Sequence, residues 1–349
     1  MGCGNRPVRG IPNAIGWRRH HGEPGLRPGG ADDPKTVAVN ADLSGDVIDE
    51  VAVPGEYIFM AASPTQAASG RAPSTWDRSQ AYPRVMSIPE HERWSLMTAV
   101  TGRDRASLTL LAPTSQQVEQ IEVLVERRVA GEPLQYLEGS VQFGPLDLLV
   151  DGRALIPRPE TERLWEEAVA SLREAGPGTV IVDLGTGSGA LALALKHSFP
   201  QAQVYGTDVS EAALTLAKQN AVRTGLEVTF LHGDLFEPLP KRFMGRVDLI
   251  VSNPPYVAEG EFAELPRDVR DHEPRVALVS GPSGTEILDR IADEGFWWVG
   301  IGGWLICEIG ETQGEAVTEA FLAFDREVRQ DLAGRDRILV ARRGASCCV

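Results

Sequence analysis

From residue 179 onward the chain alternates between short aliphatic or β-branched runs and longer stretches with helical periodicity, an order that few folds accommodate. Residues 179–184 read as a buried strand and 190–197 as a helix, and 204–207 with 211–224 repeats the pair. Further strands are expected over 228–231, in the apolar run that stops at Asn253, and over 304–309, with helices over 287–299 and 315–324. The end of the chain, 328–332 and 338–341 around a Gly334-Arg335-Asp336 turn, predicts an antiparallel hairpin. Such alternation predicts an α/β fold with a doubly wound parallel sheet, whose ligands bind at the carboxyl ends of its strands.

The strand that stops at Asn253 does so abruptly, at Asn253-Pro254-Pro255-Tyr256. Neither proline has an N–H to donate, so a ladder cannot continue, and their fixed φ directs the carbonyls of Asn253 and Pro254. A rigid cup results, with one side-chain amide, free carbonyls and an aromatic face. It suits a planar group bearing an –NH2, whose hydrogens the oxygens accept while Tyr256 packs on its face. The plainer alternative is a strand-ending loop with a core tyrosine.

The loop after the first strand, Asp183-Leu184-Gly185-Thr186-Gly187-Ser188-Gly189, lets backbone approach a ligand without a Cβ clash. Gly185-x-Gly187-x-x-Ala190 also satisfies the relaxed dinucleotide fingerprint, and Asp208 lies where a ribose-binding acid belongs in either case. Asp183, at the strand end, suits a cationic amino group rather than a pyrophosphate. Asp234 is a candidate acceptor for an adenine amine, with Leu235 packing on the ring. His197, His232 and His272 share no ligand spacing, so no metal site is expected.

The net charge of -15 argues against a partner held mainly by phosphate contacts, and no stable nucleic-acid partner is expected. No run approaches the apolar length of a membrane span, and residues after Met1 lack the apolar core of a signal peptide. None of Cys3, Cys307, Cys347 and Cys348 forms a C-x-x-C pair, which fits a reducing cytoplasm.

Residues 1–80 are rich in Gly and Pro without a long apolar period, and are expected to be a disordered extension. Residues 81–135 turn helical: Val118, Ile121, Leu124 and Val125 share one helix face that Thr114 or Ser115 caps. Trp94, Leu96, Met97 and Val100 mark a second helix, and residues 108–112 a third. Residues 136–157 are expected to be a linker with a hairpin over 141–150, and Pro159 opens a helix at N1. The sheet-forming domain then covers 158–343, and 344–349 is a tail.

With these residues placed, the chain from about Ile88 to Arg343 resembles the peptide-chain release factor N(5)-glutamine methyltransferases. Gly131-Glu132-Pro133-Leu134-Gln135-Tyr136, the segment from Leu155 ending Pro157-Arg158-Pro159-Glu160-Thr161-Glu162, the Asp183-to-Gly189 loop and Asn253-Pro254-Pro255-Tyr256 carry the resemblance, in the family's order. It implies a seven-stranded methyltransferase sheet preceded by a small helical substrate-recognition domain, with S-adenosylmethionine as cofactor. It further implies that the acceptor is the glutamine of the Gly-Gly-Gln motif of a class I release factor. Asp183, Gly185, Thr186, Gly187, Ser188, Gly189, Asp208, Asp234, Leu235 and Asn253 would bind the cofactor. Asn253, Pro254, Pro255 and Tyr256 would hold the substrate amide. A nucleic-acid amino-methyltransferase built on the same cup, or a non-catalytic adaptor that keeps the fold, are the alternatives. No general base is visible in the sequence.

Overall fold

The computed structural model describes residues 87–345, Glu174 and Leu332 excepted, so the expectations for residues 1–80 and 346–349 lie outside the described residues. The first described elements are helices α1 (Glu90–Thr101), α2 (Arg105–Leu110) and α3 (Ser115–Val129). Thr114 and Gln117 close a reciprocal capping box that satisfies two orphan donors at the start of α3. Leu96, Ile121 and Val125 meet in a small core of their own, and a two-pronged Arg128–Glu92 pair at 2.9 and 2.8 Å ties α3 to α1. A fourth helix, α4 (Leu134–Glu138), was not foreseen and crosses the expected boundary at 135. Pro133 does not simply end the bundle. It stands as the N-cap of α4, where its missing N–H costs nothing, and Leu137 completes the same core.

The linker hairpin is β1 (Ser140–Phe143) and β2 (Leu146–Leu149), followed by α5 (Pro159–Leu172) with Pro159 in its first turn. Then come β3 (Val180–Leu184), α6 (Ala190–Ser198), β4 (Gln203–Asp208), α7 (Glu211–Thr224), β5 (Thr229–His232) and β6 (Val247–Ser252). After β6 the chain makes a short parallel pair, β7 (Val257–Ala258) and β8 (Val279–Gly281), around α8 (Arg267–Arg270). It closes with α9 (Glu286–Trp298), β9 (Val299–Glu308), α10 (Gly314–Ala320), β10 (Asp325–Gln330) and β11 (Asp336–Arg342).

The main sheet has seven strands in the order β10-β11-β9-β6-β3-β4-β5. Strands β3, β4, β5, β6 and β9 are parallel, while β11 and β10 form the antiparallel C-terminal hairpin. β9 starts earlier than its apolar run suggests. Gly300, Gly302 and Gly303 break the alternation, yet Gly303 lies so close to β6 that an added Cβ would meet the Val247 carbonyl at 2.9 Å. On one face of the sheet α5, α6 and the linker hairpin bury Leu164, Ala168, Leu193 and Phe143. On the other α9 and α10 bury Leu288, Ile291, Val317 and Phe321. β3, buried along its whole length, leads to β4 on one side and lies against β6 on the other, which makes its carboxyl end the switch point where a crevice must open.

Candidate active site

The crevice at that switch point is lined by Asp183, Gly185, Thr186, Gly187, Ser188, Asp208, Asp234, Leu235, Asn253 and Pro255, all anticipated from the sequence. Gly189, Pro254 and Tyr256 were anticipated too but are not on the wall. Gly189 has φ +83° and packs behind the loop, where an added Cβ would meet Ala217 Cβ at 3.1 Å. Pro254 is buried, and Tyr256 is half-buried.

Asp183 is 1% exposed. Its Oδ2 accepts from Thr186 Oγ1 at 2.6 Å and from the Ala192 N–H at 3.1 Å, whereas Oδ1 has no protein partner. Burial pushes the carboxyl up to about 7, with nearby Asp208 adding to the rise. A buried oxygen without a donor, on a residue that lines the crevice, calls for a cation or N–H group. The loop itself is tied down by its neighbours. The Thr186 N–H donates to the Thr207 carbonyl at 2.9 Å, and the Gly187 N–H to Asp208 Oδ2 at 2.8 Å. Asp208 Oδ1 accepts from the Ser210 N–H at 2.8 Å, and burial raises this carboxyl above its ordinary value. Each Asp208 oxygen keeps a second lone pair for a ligand hydroxyl.

Behind the loop stands fully buried Asn220, which the sequence did not flag. Its Nδ2 donates to the Ser188 carbonyl at 2.9 Å and to the Leu149 carbonyl at 3.1 Å, while Oδ1 accepts from the Leu149 N–H at 2.7 Å. The side chain thus pairs with β2 as a strand would and couples the linker hairpin to the glycine loop. At the far end of the crevice Asp234 is taken two-pronged by Arg290 at 3.2 and 2.9 Å, an exposed pair that fixes the carboxylate without consuming all its lone pairs. Leu235 lies beside it with φ +44°, a left-handed conformation unusual for a branched residue.

The Asn253 cup is held from three directions. Buried Ser252 donates from Oγ to the Leu184 carbonyl at 2.8 Å, locking the end of β6 to the end of β3. Gln313 Nε2 donates to the Tyr256 carbonyl at 3.0 Å and the Gly284 carbonyl at 3.1 Å, and its Oε1 accepts from the Gly310 N–H at 2.9 Å. From α5, Thr161 Oγ1 accepts from Asn253 Nδ2 at 3.0 Å and donates to Glu308 Oε2 at 2.8 Å. Glu308 is 2% exposed at the end of β9, and burial pushes its carboxyl up to about 7. Burial pushes the Tyr256 phenol up to about 12, and the Glu308 carboxylate adds to that rise. A partly buried Arg158–Glu273 ion pair links the start of α5 to the segment between α8 and β8, part of which lines the crevice.

Thr161, Glu308, Gln313 and Glu273 were therefore missed as site residues. Glu308 did leave a signal: a carboxylate ending the apolar run Trp304-Leu305-Ile306-Cys307 at the carboxyl end of a predicted strand. Among the described residues no group of three or more His, Cys, Asp or Glu is placed to hold a metal ion, and no helix is long and apolar enough to cross a membrane.

Residues 84–139 match the PrmC N-terminal domain family, and residues 168–266 the methyltransferase small domain family. The release factor glutamine methyltransferase of Geobacter sulfurreducens is 38% identical over 275 residues, covering 77% of this chain and 95% of that protein. The release factor glutamine methyltransferase of Mycolicibacterium smegmatis is 43% identical over 248 residues, covering 69% of this chain and 86% of its own length. Among solved structures, the release factor-specific protein-(glutamine-N5) methyltransferase of Alicyclobacillus acidocaldarius is 26% identical, with a TM-score of 0.34 over 54% of this chain and 94% of that one.

Proposed function

This chain belongs to the release factor glutamine methyltransferase family, and from that premise we propose that it works in the crevice between the glycine loop and the Asn253 cup. The protein is an S-adenosylmethionine-dependent enzyme that methylates a glutamine of a release factor. The acceptor we assign is the side-chain amide nitrogen of the glutamine in the Gly-Gly-Gln motif of a class I factor.

The residues fit the cofactor. Asp183 Oδ1 is a buried acceptor lacking a donor, suited to an ammonium group. Gly185 has φ +68° and nothing within 4 Å of where a Cβ would stand, so backbone lies open to the crevice. Asp208 retains lone pairs for the ribose hydroxyls, and Asp234 with Leu235 forms the end suited to adenine. When bound, S-adenosylmethionine supplies a methyl carbon activated by its sulfonium.

The single observation that carries the reading is the hydrogen bond from Asn253 Nδ2 to Thr161. Because the amide donates there, Oδ1 is left as the acceptor that the crevice sees. An amide nitrogen is a poor nucleophile while its lone pair is delocalised into the carbonyl. Asn253 Oδ1, accepting one of its hydrogens, holds the –NH2 so that this lone pair can be aimed at the methyl carbon. Positioning of this kind supplies most of the catalysis. The helical part, residues 81–135, serves substrate recognition, and the enzyme acts in the cytoplasm without a stable nucleic-acid partner.

The test is transfer of labelled methyl from S-adenosylmethionine to a purified class I release factor, with nucleic acid as competing acceptor. Label on the Gly-Gly-Gln glutamine is expected. Label on nucleic acid, or undiminished label when that glutamine is replaced, would overturn the assignment. A finer expectation concerns Asp208→Asn. The amide keeps one acceptor and loses the charge, so calorimetry should show cofactor affinity falling about tenfold, roughly 1.4 kcal/mol.

A further inference from the structure

Asn253 is symmetrical in shape about its amide, so something must decide which of its two ends faces the crevice. A carboxylate only accepts hydrogen bonds. Ionised Glu308 therefore takes the one hydrogen of Thr161 Oγ1, at 2.8 Å. The Thr161 oxygen is then left with lone pairs alone, and Asn253 can satisfy it only by presenting Nδ2, as it does at 3.0 Å. All three groups lie on different elements: Glu308 ends β9, Thr161 sits in the first turn of α5, and Asn253 follows β6.

We propose that Glu308 and Thr161 form a positioning relay that turns Asn253 Oδ1 toward the crevice and so selects an –NH2 donor, a glutamine amide, over a carboxylate. The inference rests on the reading of Asn253 as the acceptor for the substrate amide. With the amide reversed, Nδ2 would meet the substrate –NH2 donor to donor, and a glutamate carboxylate would be the better fit.

The relay has a sense of direction that pH can reverse. A protonated Glu308 can donate to Thr161, which can then donate to Asn253 Oδ1 and leave Nδ2 facing the crevice. The charged and titratable groups around Glu308 are Glu160 from α5, Arg337 from β11 and Tyr256 from the loop after β6. Burial, aided by Glu160, opposes the ionised form, whereas the Thr161 hydroxyl, Arg337 and Tyr256 favour it, and the balance lies at about 7. Activity is thus expected to fall as pH drops through that value.

The experiment measures kcat, KM for the release factor and cofactor affinity across pH 5.5–9 for wild type, Thr161→Ser, Thr161→Val, Glu308→Gln and Asn253→Ala. A wild-type acidic limb near pH 7 is expected. Glu308→Gln, whose amide can accept or donate, should lower kcat at least tenfold and flatten that limb. Thr161→Val should lower kcat at least thirtyfold, while Thr161→Ser stays within threefold of wild type. Calorimetric affinity for S-adenosylmethionine should stay within threefold throughout the Thr161 and Glu308 variants. The isosteric Glu308→Gln decides the matter if Thr161→Val does not fold. Wild-type rates in both Thr161→Val and Glu308→Gln, an acidic limb in kcat at saturating cofactor surviving in Glu308→Gln, or rate losses matched by equal losses of cofactor affinity would overturn the relay. Wild-type rate in Asn253→Ala would instead overturn the cup reading on which the relay stands.

Discussion

Asn253→Ala is expected to lower the rate of methyl transfer by about 10²–10³, the typical cost of losing one preorganised polar contact to the reacting group. Cofactor affinity should change much less, within about tenfold, because the glycine loop and Asp208 hold each other through the Gly187 N–H and do not lean on Asn253. Folding should suffer little as well. Thr161 keeps its bond to Glu308, so the substitution strands no buried donor and should cost roughly 1 kcal/mol of stability. Asn253→Asp is expected to be no better than the alanine. At neutral pH the introduced carboxylate has no hydrogen for Thr161, and it would compete with Glu308 for one hydroxyl across a buried site. Single-turnover kinetics with saturating cofactor and release factor checks both. A wild-type rate in Asn253→Ala would reduce the cup to a loop.

The positions of the crevice residues were legible because backbone punctuation marks them. Pro254-Pro255 must end β6, and the glycines after Asp183 must free the chain as it leaves β3, so their places at neighbouring strand ends follow from the parallel sheet alone. What holds those residues was not legible. Thr161 and Glu308 are 147 residues apart, and Asn220 and Leu149 are 71 apart. Thr161 stood only within the segment where Pro159 opens a helix, and Asn220 only within the helix expected over 211–224. Only the fold brings the first against a buried carboxylate and the second against a strand edge. The same limit explains α4 and the β7–β8 pair. They are too short to set up a periodicity, and their residues are placed by packing against neighbours.

Asp183→Asn is expected to trade cofactor binding for stability. The carboxyl ionises at about 7 in the folded protein against 3.8 as its ordinary value, so the folded state binds this proton more tightly than the unfolded state does. The associated stability is fully present below the ordinary value and is lost as pH rises through about 7. At pH 8 the buried charge then costs the free protein up to about 4 kcal/mol, taking roughly 1.4 kcal/mol per unit. Asparagine keeps an oxygen for Thr186 Oγ1 and the Ala192 N–H, and carries no charge, so the variant should melt above wild type at pH 8. The two should converge as the solution is made acid. Cofactor binding should move the other way. A ligand ammonium facing Asp183 Oδ1 would lose a charge-assisted bond worth roughly 1.5–3 kcal/mol, so affinity should fall about 10- to 100-fold. Wild type should accordingly gain more from added S-adenosylmethionine than the variant does. Melting curves at pH 5 and pH 8, each with and without cofactor, read all of these differences. A variant that melts below wild type at pH 8 would mean that the buried charge is already compensated within the protein. Unchanged affinity would mean that the bare Asp183 oxygen does not meet the cation.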